Sequence, residues 1–294
     1  MVNLPLNEPP DSPLGPLRAR LATHLQHLVG NRDPYLASGG HQLTQQYLRS
    51  VLSTWGDVIA DDFQVRGQHH CNWILQLPGT ASARPPIIIG AHYDTIPGTP
   101  GADDNASGLA VLLEVARYLA TCSLARPCWL IAFDMEEFGL LGSQALATKL
   151  QATQQAVHLM LSLEMLGYCD RTPGSQRYPT PWLTKLYPDR GDFIALIGNL
   201  CTLRAMQKLR RHLRQANAPC EYLPVPNAGR WVPATRRSDH ASFWDCGYPA
   251  LMVTDTAFLR NPHYHQPSDH LETLDLDFMT GVCWGLMRGL AALA

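Results

Sequence analysis

Leu17, Leu21, Leu25 and Leu28 recur every three or four residues along PLRARLATHLQHLVG, which predicts an amphipathic helix over residues 16–30, stopped by Gly30 and Asn31. A second helical pattern, HQLTQQYLRSVLSTWG, covers 41–56 and stops at Gly56. The period then shortens: VIADDFQVR (58–66) and NWILQL (72–77) read as strands, followed by a turn-rich stretch over 78–86. From PPIIIGAHYD (85–94) onward strand and helix take turns. Its continuous run Ile87–Ile89 has the look of a strand buried on both faces. A helix follows at 106–122, a strand at 127–134, a helix at 140–151 and a strand at 156–165. Further on come a strand at 192–199, a helix at 202–217, a strand at 248–255 and a terminal helix from about Leu276. This alternation predicts an α/β fold around a mainly parallel sheet. Residues 170–192 and 217–238, rich in Pro, Gly and Arg, read as long loops, and loops of that length are usually functional.

Composition narrows the picture. Hydrophobic residues make up 46% of the 294 and charged residues only 16%, which implies a large core under a modest charged surface. The balance of 23 basic against 25 acidic side chains gives a formal charge of −2, so no basic surplus exists to neutralise phosphates and nucleic acid is not an expected partner. The first basic residue is Arg18, after a Pro-rich opening, so no secretory signal is read. The apolar FMTGVCWGLMRGLAALA is interrupted by Arg288 and is shorter than the roughly 20 residues of a membrane span, so it reads as a packed helix. Eight cysteines without a C-x-x-C pair read as free thiols in a reducing compartment. The expectation is a cytoplasmic protein without a membrane partner, with a flexible lead over 1–14 and a single domain over 15–294.

Ligands of open α/β sheets sit beyond the carboxyl ends of the strands, and three strand ends here carry reactive residues. IIIGAHYDT offers His92, with Asp94 placed to hold the other ring nitrogen and fix the tautomer. GADDNASG sets Asp103, Asp104 and Asn105 between glycines before a helix. One of them reads as a helix cap, while Asp104 can bridge two cations. LIAFDMEEFGLLGS places Glu136 and Glu137 side by side, a repulsive pair that a metal or proton would accompany. If Glu137 binds a metal, Glu136 is free to act as a general base on water. Glu164 ends the apolar run Val157–Leu163, where an unpaired carboxylate is costly, and NPHYHQPSDH supplies His263, His265 and His270, of which one need be a ligand. His92, Asp104, Glu137, Glu164 and His265 together give two nitrogens and three carboxylates. With Asp104 shared, each of two cations has three protein ligands and an open position, a donor set that suits catalytic zinc.

The motifs GAHYDT, GADDNASG, FDMEEFGLLGS, SLEMLGY, SDHASF and HYHQPSD resemble, in order and spacing over about residues 70–290, those of the M28 family of zinc aminopeptidases. The resemblance implies a three-layer fold, with a mixed, mostly parallel sheet of about eight strands between helices, and two zinc ions. It assigns His92, Asp104 and Glu164 to one zinc and Asp104, Glu137 and His265 to the other. Glu136 becomes the general base, with Asp94 behind the ligands. This chain departs in having Glu164 where many members have Asp and Gln266 after the last ligand, and it shows no protease-associated insert, as a compact bacterial-type member would. Tyr264 is a candidate for polarising a substrate carbonyl, and Asp239 and His240 are candidates for lining the site. The implied activity is hydrolysis of an N-terminal peptide bond, on a substrate with a free α-amine. The first side chain would be held by the 170–238 loops, with Gly167, Tyr168, Trp182 and Trp231 as candidate walls. A glutaminyl cyclase using one zinc on a similar fold is the alternative enzyme. A peptidase-like binding domain is the non-catalytic alternative, and it would be expected to have lost ligands or the base.

Overall fold

A computed structural model describes residues 13–294; most of the 1–14 lead lies outside the described residues. Its last residue does not belong to a lead, because Leu14 opens helix α1 (Leu14–Leu28). Pro16 falls in the first turn, where a missing N–H breaks no helical bond. Helix α2 (Ser38–Leu52) follows, and then strands β1 (Val58–Val65) and β2 (Gln68–Leu77) form a hairpin. The alternating part runs β3 (Ile87–His92), α3 (Gly108–Ala120), β4 (Cys128–Phe133), α4 (Leu141–Ala152) and β5 (Leu159–Glu164). It ends with β6 (Ile194–Asn199), α5 (Leu203–Gln215), β7 (Cys220–Val225), α6 (His240–Asp245), β8 (Ala250–Thr254) and α7 (Leu276–Leu293).

The eight strands make one sheet in the order β1-β2-β4-β3-β5-β8-β6-β7. Pairs β3–β4, β3–β5, β5–β8 and β6–β7 are parallel; β1–β2, β2–β4 and β6–β8 are antiparallel. The sheet is therefore mixed and mostly parallel, as the alternation predicts. Side chains on successive strand residues point to opposite faces, and two cores result. Ile87, Ile89, Leu161, Leu163, Leu251 and Val253 pack with α1, α3, α5 and α7. Ile88, Ile131, Phe133 and Met160 pack with α4 and α6 on the opposite face. Three layers follow directly from burying both faces of central strands.

The 217–238 segment corrects the loop reading, since β7 lies within it. Pro224 pairs within that strand, a position proline tolerates because β7 is the sheet edge. The 170–192 segment is irregular, with one bridge between Asp170 and Gly191. All eight cysteines are free, and among the described residues no helix is long and apolar enough to cross a membrane.

Candidate functional site

The parallel strands β4, β3, β5 and β8 stand side by side and end on the same edge. His92 is the last residue of β3 and Glu164 the last of β5, while Glu136 and Glu137 follow the end of β4. Asp104 comes from the turn Ala102–Ser107 that leads into α3, and His265 from the loop after β8. Residues up to 173 positions apart in the chain are thereby drawn onto one edge.

Asp104 is the hinge of the arrangement. Its Oδ1 lies 3.2 Å from His92 Nε2 and its Oδ2 lies 3.2 Å from His265 Nε2. Glu164 Oε1 is 3.7 Å from His92 Nε2, and Glu137 Oε2 is 3.1 Å from His265 Nε2. Two trios result, His92–Asp104–Glu164 and Asp104–Glu137–His265, each able to turn one ligand atom per residue to within 4.8 Å of the others. His92 Nε2 is fully buried and has no hydrogen-bond partner although carboxylates surround it. A buried ring nitrogen left over among carboxylate oxygens is the pattern a divalent cation completes, and nitrogen–oxygen donors of this kind suit zinc.

Protonation carries the same message. Burial disfavours charge on His265, but Asp104 and Glu137 outweigh it and raise its pKa to about 10. His92 is driven up in the same way by Glu136, Glu164, Asp104 and Asp94 against its burial. Burial lifts Glu137 to about 7, with Asp104 adding to the effect. Glu136 is pushed well above the carboxylate range by burial, over the pull of His92, and then by Glu164, Glu137 and Asp239. Asp104 alone goes down: burial opposes its charge, but the two histidines prevail. Crowded carboxylates hold protons here where cations would otherwise compensate them.

The surrounding bonds hold these groups in place. Asp94 accepts from the backbone N–H of Glu136 at 3.1 Å through Oδ1 and of Glu137 at 3.0 Å through Oδ2, and its Oδ1 is 3.4 Å from His92 Nδ1. One carboxylate thus ties the ends of β3 and β4 together. Neither Asp103 nor Asn105 is the N-cap of α3, which is Ser107, but Asn105 accepts from the N–H of Gly108, the first helical residue. The Asn105 amide also donates to Leu163 O on β5. Ser238 donates to Glu164 Oε2 at 2.7 Å. Tyr264 stacks on the ring of His265 at 3.8 Å and lines a small apolar cavity with Glu164, Ile197, Met252 and Phe258. Asp239 is fully buried, and neither carboxylate oxygen has a partner. It does not cap α6, the helix it precedes. Burial, with Glu164 and Asp94, pushes it to about 7 against the pull of His92 and the nearby Ser143 hydroxyl. His240 turns away, donating through Nε2 to Thr235 O.

Of the three histidines in NPHYHQPSDH only His265 joins a trio; His263 faces Ser268 Oγ and His270 precedes a surface turn. Trp182 and Trp231 are 55% and 72% exposed and do not line the cavities, nor does Tyr168, which corrects the expected walls. The loops contribute Ala234 to the cavity beside Glu164. Tyr178, Leu183, Tyr187 and Tyr222 line an adjoining one.

Three supports went unread in the sequence. Asp269 accepts from the N–H groups of Asp103 and Asp104 through its two oxygens. Arg32, buried, donates to the carbonyls of Leu28, Gly30, Tyr93, Pro100 and Gly101 and so holds the turn that carries Asp104. Asp134 binds His41 at 2.8 Å and His70 at 3.0 Å behind the Glu136–Glu137 corner. Asp134, inside FDMEEFGLLGS, and Asp269, inside HYHQPSD, lie within the motifs that mark the site, whereas nothing local marks Arg32.

The model of peptidase family M28 matches residues 72–286. The Escherichia coli K12 protein YfbL is 35% identical over 96% of this chain and 90% of its own length. Leucine aminopeptidase 1 of Sclerotinia sclerotiorum is 28% identical over 83% of this chain, which spans 63% of that relative. The structure of the Legionella pneumophila LapA aminopeptidase superposes with a TM-score of 0.67 at 21% identity, covering 99% of this chain and 76% of that one. Porphyromonas gingivalis glutaminyl cyclase superposes with 0.69 at 18% identity over 96% and 98%. At such identities the superpositions establish a common fold.

Proposed function

The chain belongs to peptidase family M28, and on that premise we propose that it is a di-zinc aminopeptidase, with residues 14–294 forming one peptidase domain. The observation that carries the reading is Asp104, which turns one oxygen to each of two histidines at 3.2 Å. His92, Asp104 and Glu164 would hold one zinc; Asp104, Glu137 and His265 would hold the other. When bound, zinc supplies Lewis acidity toward the scissile carbonyl and lowers the pKa of water.

The chain's own side chains do the rest. Glu136 is the general base: it stands outside both trios, with Oε2 4.0 Å from His92 Nε2. It takes a proton from the attacking water and returns it to the leaving amine. Asp94 holds Glu136 by its backbone and keeps the His92 ring oriented. The free α-amine of the peptide sits against the acidic wall, with Asp239 buried behind it. Tyr264 stands beside the scissile carbonyl, and the first side chain enters the apolar cavity next to Glu164. A panel of aminoacyl p-nitroanilides, with and without chelator, tests this. Chelator-sensitive release from substrates with a free amine is expected, and no chelator-sensitive release from any of them overturns it.

A glutaminyl cyclase with one zinc is the second reading, and a cyclase covers this fold over nearly its full length. It would leave the Asp104–Glu137–His265 trio without a use, which favours hydrolysis. The bound zinc per chain and a peptide with N-terminal Gln separate the two.

A further inference from the structure

Arg236 and Arg237 are neighbours in different situations. Arg236 donates to Ala228 O and pairs with Asp245 at 2.6 Å. Arg237 is exposed and has no hydrogen-bond or ion-pair partner among the described residues. It is nevertheless held: its guanidinium lies 4.7 Å from the centroid of the Phe258 ring. Phe258 in turn meets Tyr264 at 5.9 Å, and Tyr264 stacks on His265. Arg237 also lines the cavity that Glu164 and Tyr264 line, so the cation stands at the mouth of the candidate metal centre.

Stacking uses the face of a guanidinium and leaves its in-plane N–H donors free. Those donors match a carboxylate two at a time. The nearby acids are engaged elsewhere, Asp104 and Glu137 with His265 and Glu164 with Ser238. The cation therefore faces the substrate space with its donors unused. We propose that Arg237 is a specificity residue that binds a carboxylate of the substrate close to the scissile bond. That group is either the side chain of an acidic first residue or the C-terminal carboxylate of a short peptide. The inference rests on the aminopeptidase reading and deepens it by naming a substrate class.

Two substrate pairs separate the sources. Glutamyl against glutaminyl p-nitroanilide varies only the side-chain charge, and Leu-Gly against Leu-Gly amide varies only the terminal charge. Each is measured as kcat/KM on the zinc-loaded full chain of wild type, Arg237→Gln and Arg237→Glu. In at least one pair, wild type should favour the acid by about tenfold or more, the scale of a charged hydrogen bond. Arg237→Gln should bring that ratio to about one, and Arg237→Glu should invert it. The pair that responds identifies the source. Equal ratios in wild type and Arg237→Gln for both pairs overturn the inference and leave the aminopeptidase reading standing.

Thermal melting and zinc content check the variants. If either misfolds, the wild-type ratio decides by its salt dependence: a decline with added NaCl supports the ion pair, and no decline overturns it. If wild type cleaves nothing, the aminopeptidase reading has failed. The thermal shifts then given by Leu-Gly over its amide and by glutamyl over glutaminyl p-nitroanilide, in wild type and in Arg237→Gln, still decide on Arg237: a larger shift from the acid in either pair that Arg237→Gln abolishes supports it, and no such difference in both pairs overturns it.

Discussion

Glu136 and Glu137 are consecutive, equally charged and held by the same aspartate, yet they face different neighbours. Glu137 reaches His265 at 3.1 Å, whereas Glu136 points to the His92 side and belongs to neither trio. That difference makes a sharp prediction: Glu136→Gln keeps two zinc ions per chain but loses about 10²- to 10⁴-fold in kcat, the usual share of a general base. Metal content by atomic emission and turnover on leucine p-nitroanilide check it, and turnover near wild type would remove Glu136 from the mechanism. His265→Ala predicts the complementary split, because it removes a nitrogen from one trio only. One zinc per chain should remain tightly bound and the second should be lost on dialysis. His92, Glu137 and Glu164 could be read from the sequence because each is a reactive type at or just after the end of an apolar run, whereas Asp104 and His265 showed through the local patterns GADDNASG and NPHYHQPSDH. Arg237, His41 and His70 could not, since their significance lies in what stands next to them in space. His41 and His70 come from α2 and β2 and meet only through Asp134.

At the scale of elements, α3 explains how a turn is aimed. Gly108 starts the helix, and a Cβ added there would meet the Asn105 side chain and, at 2.7 Å, the carbonyl oxygen of Leu163 on β5. Asn105 is the next residue after Asp104 and bridges α3 to β5, so the crowding falls on the turn that presents the shared carboxylate. Gly108→Ala should therefore destabilise by about 1–3 kcal/mol, the range for overpacking a filled interior, and weaken zinc binding as well. Gly39, in α2, has nothing within 4 Å of its added Cβ. Gly39→Ala should be neutral or stabilising by up to about 1 kcal/mol, because alanine is the better helix former. Paired denaturation curves check both, and equal stability for the two variants would show that the α3–β5 contact is loose. The buried central strands were legible because their apolar runs are continuous, most plainly in the Ile87–Ile89 run of β3. β7 escaped the same reading. It is an edge strand, only partly buried and broken by Pro224, so neither alternation nor a continuous run marks it.

For the whole molecule, the crowded site couples stability to pH and to metal. A carboxyl whose folded pKa exceeds its unfolded one keeps a proton that the unfolded chain has already lost, so stability falls as pH climbs between the two values. Glu137, at about 7 against 4.5, and Asp239, at about 7 against 3.8, place that window at roughly pH 4 to 7. His265 acts in the same sense higher up. Its folded value near 10 against 6.5 gives stability below pH 6.5 that drains away as pH rises toward 10. Asp104 works oppositely, its lowered pKa giving stability that is lost only in strong acid. The metal-free chain should thus lose stability steadily from about pH 5 to pH 9. Zinc changes the balance because its ligands must shed these protons before they bind, so metal affinity rises over the same range. The gain in Tm on adding zinc to chelator-treated protein should then be small at pH 5 and grow toward pH 8. Proton release should accompany it, measurable by titration calorimetry in buffers of different ionisation enthalpy. A zinc-induced gain that is flat across pH, with no protons released, would mean that the histidines and glutamates at the strand ends are not the groups zinc engages.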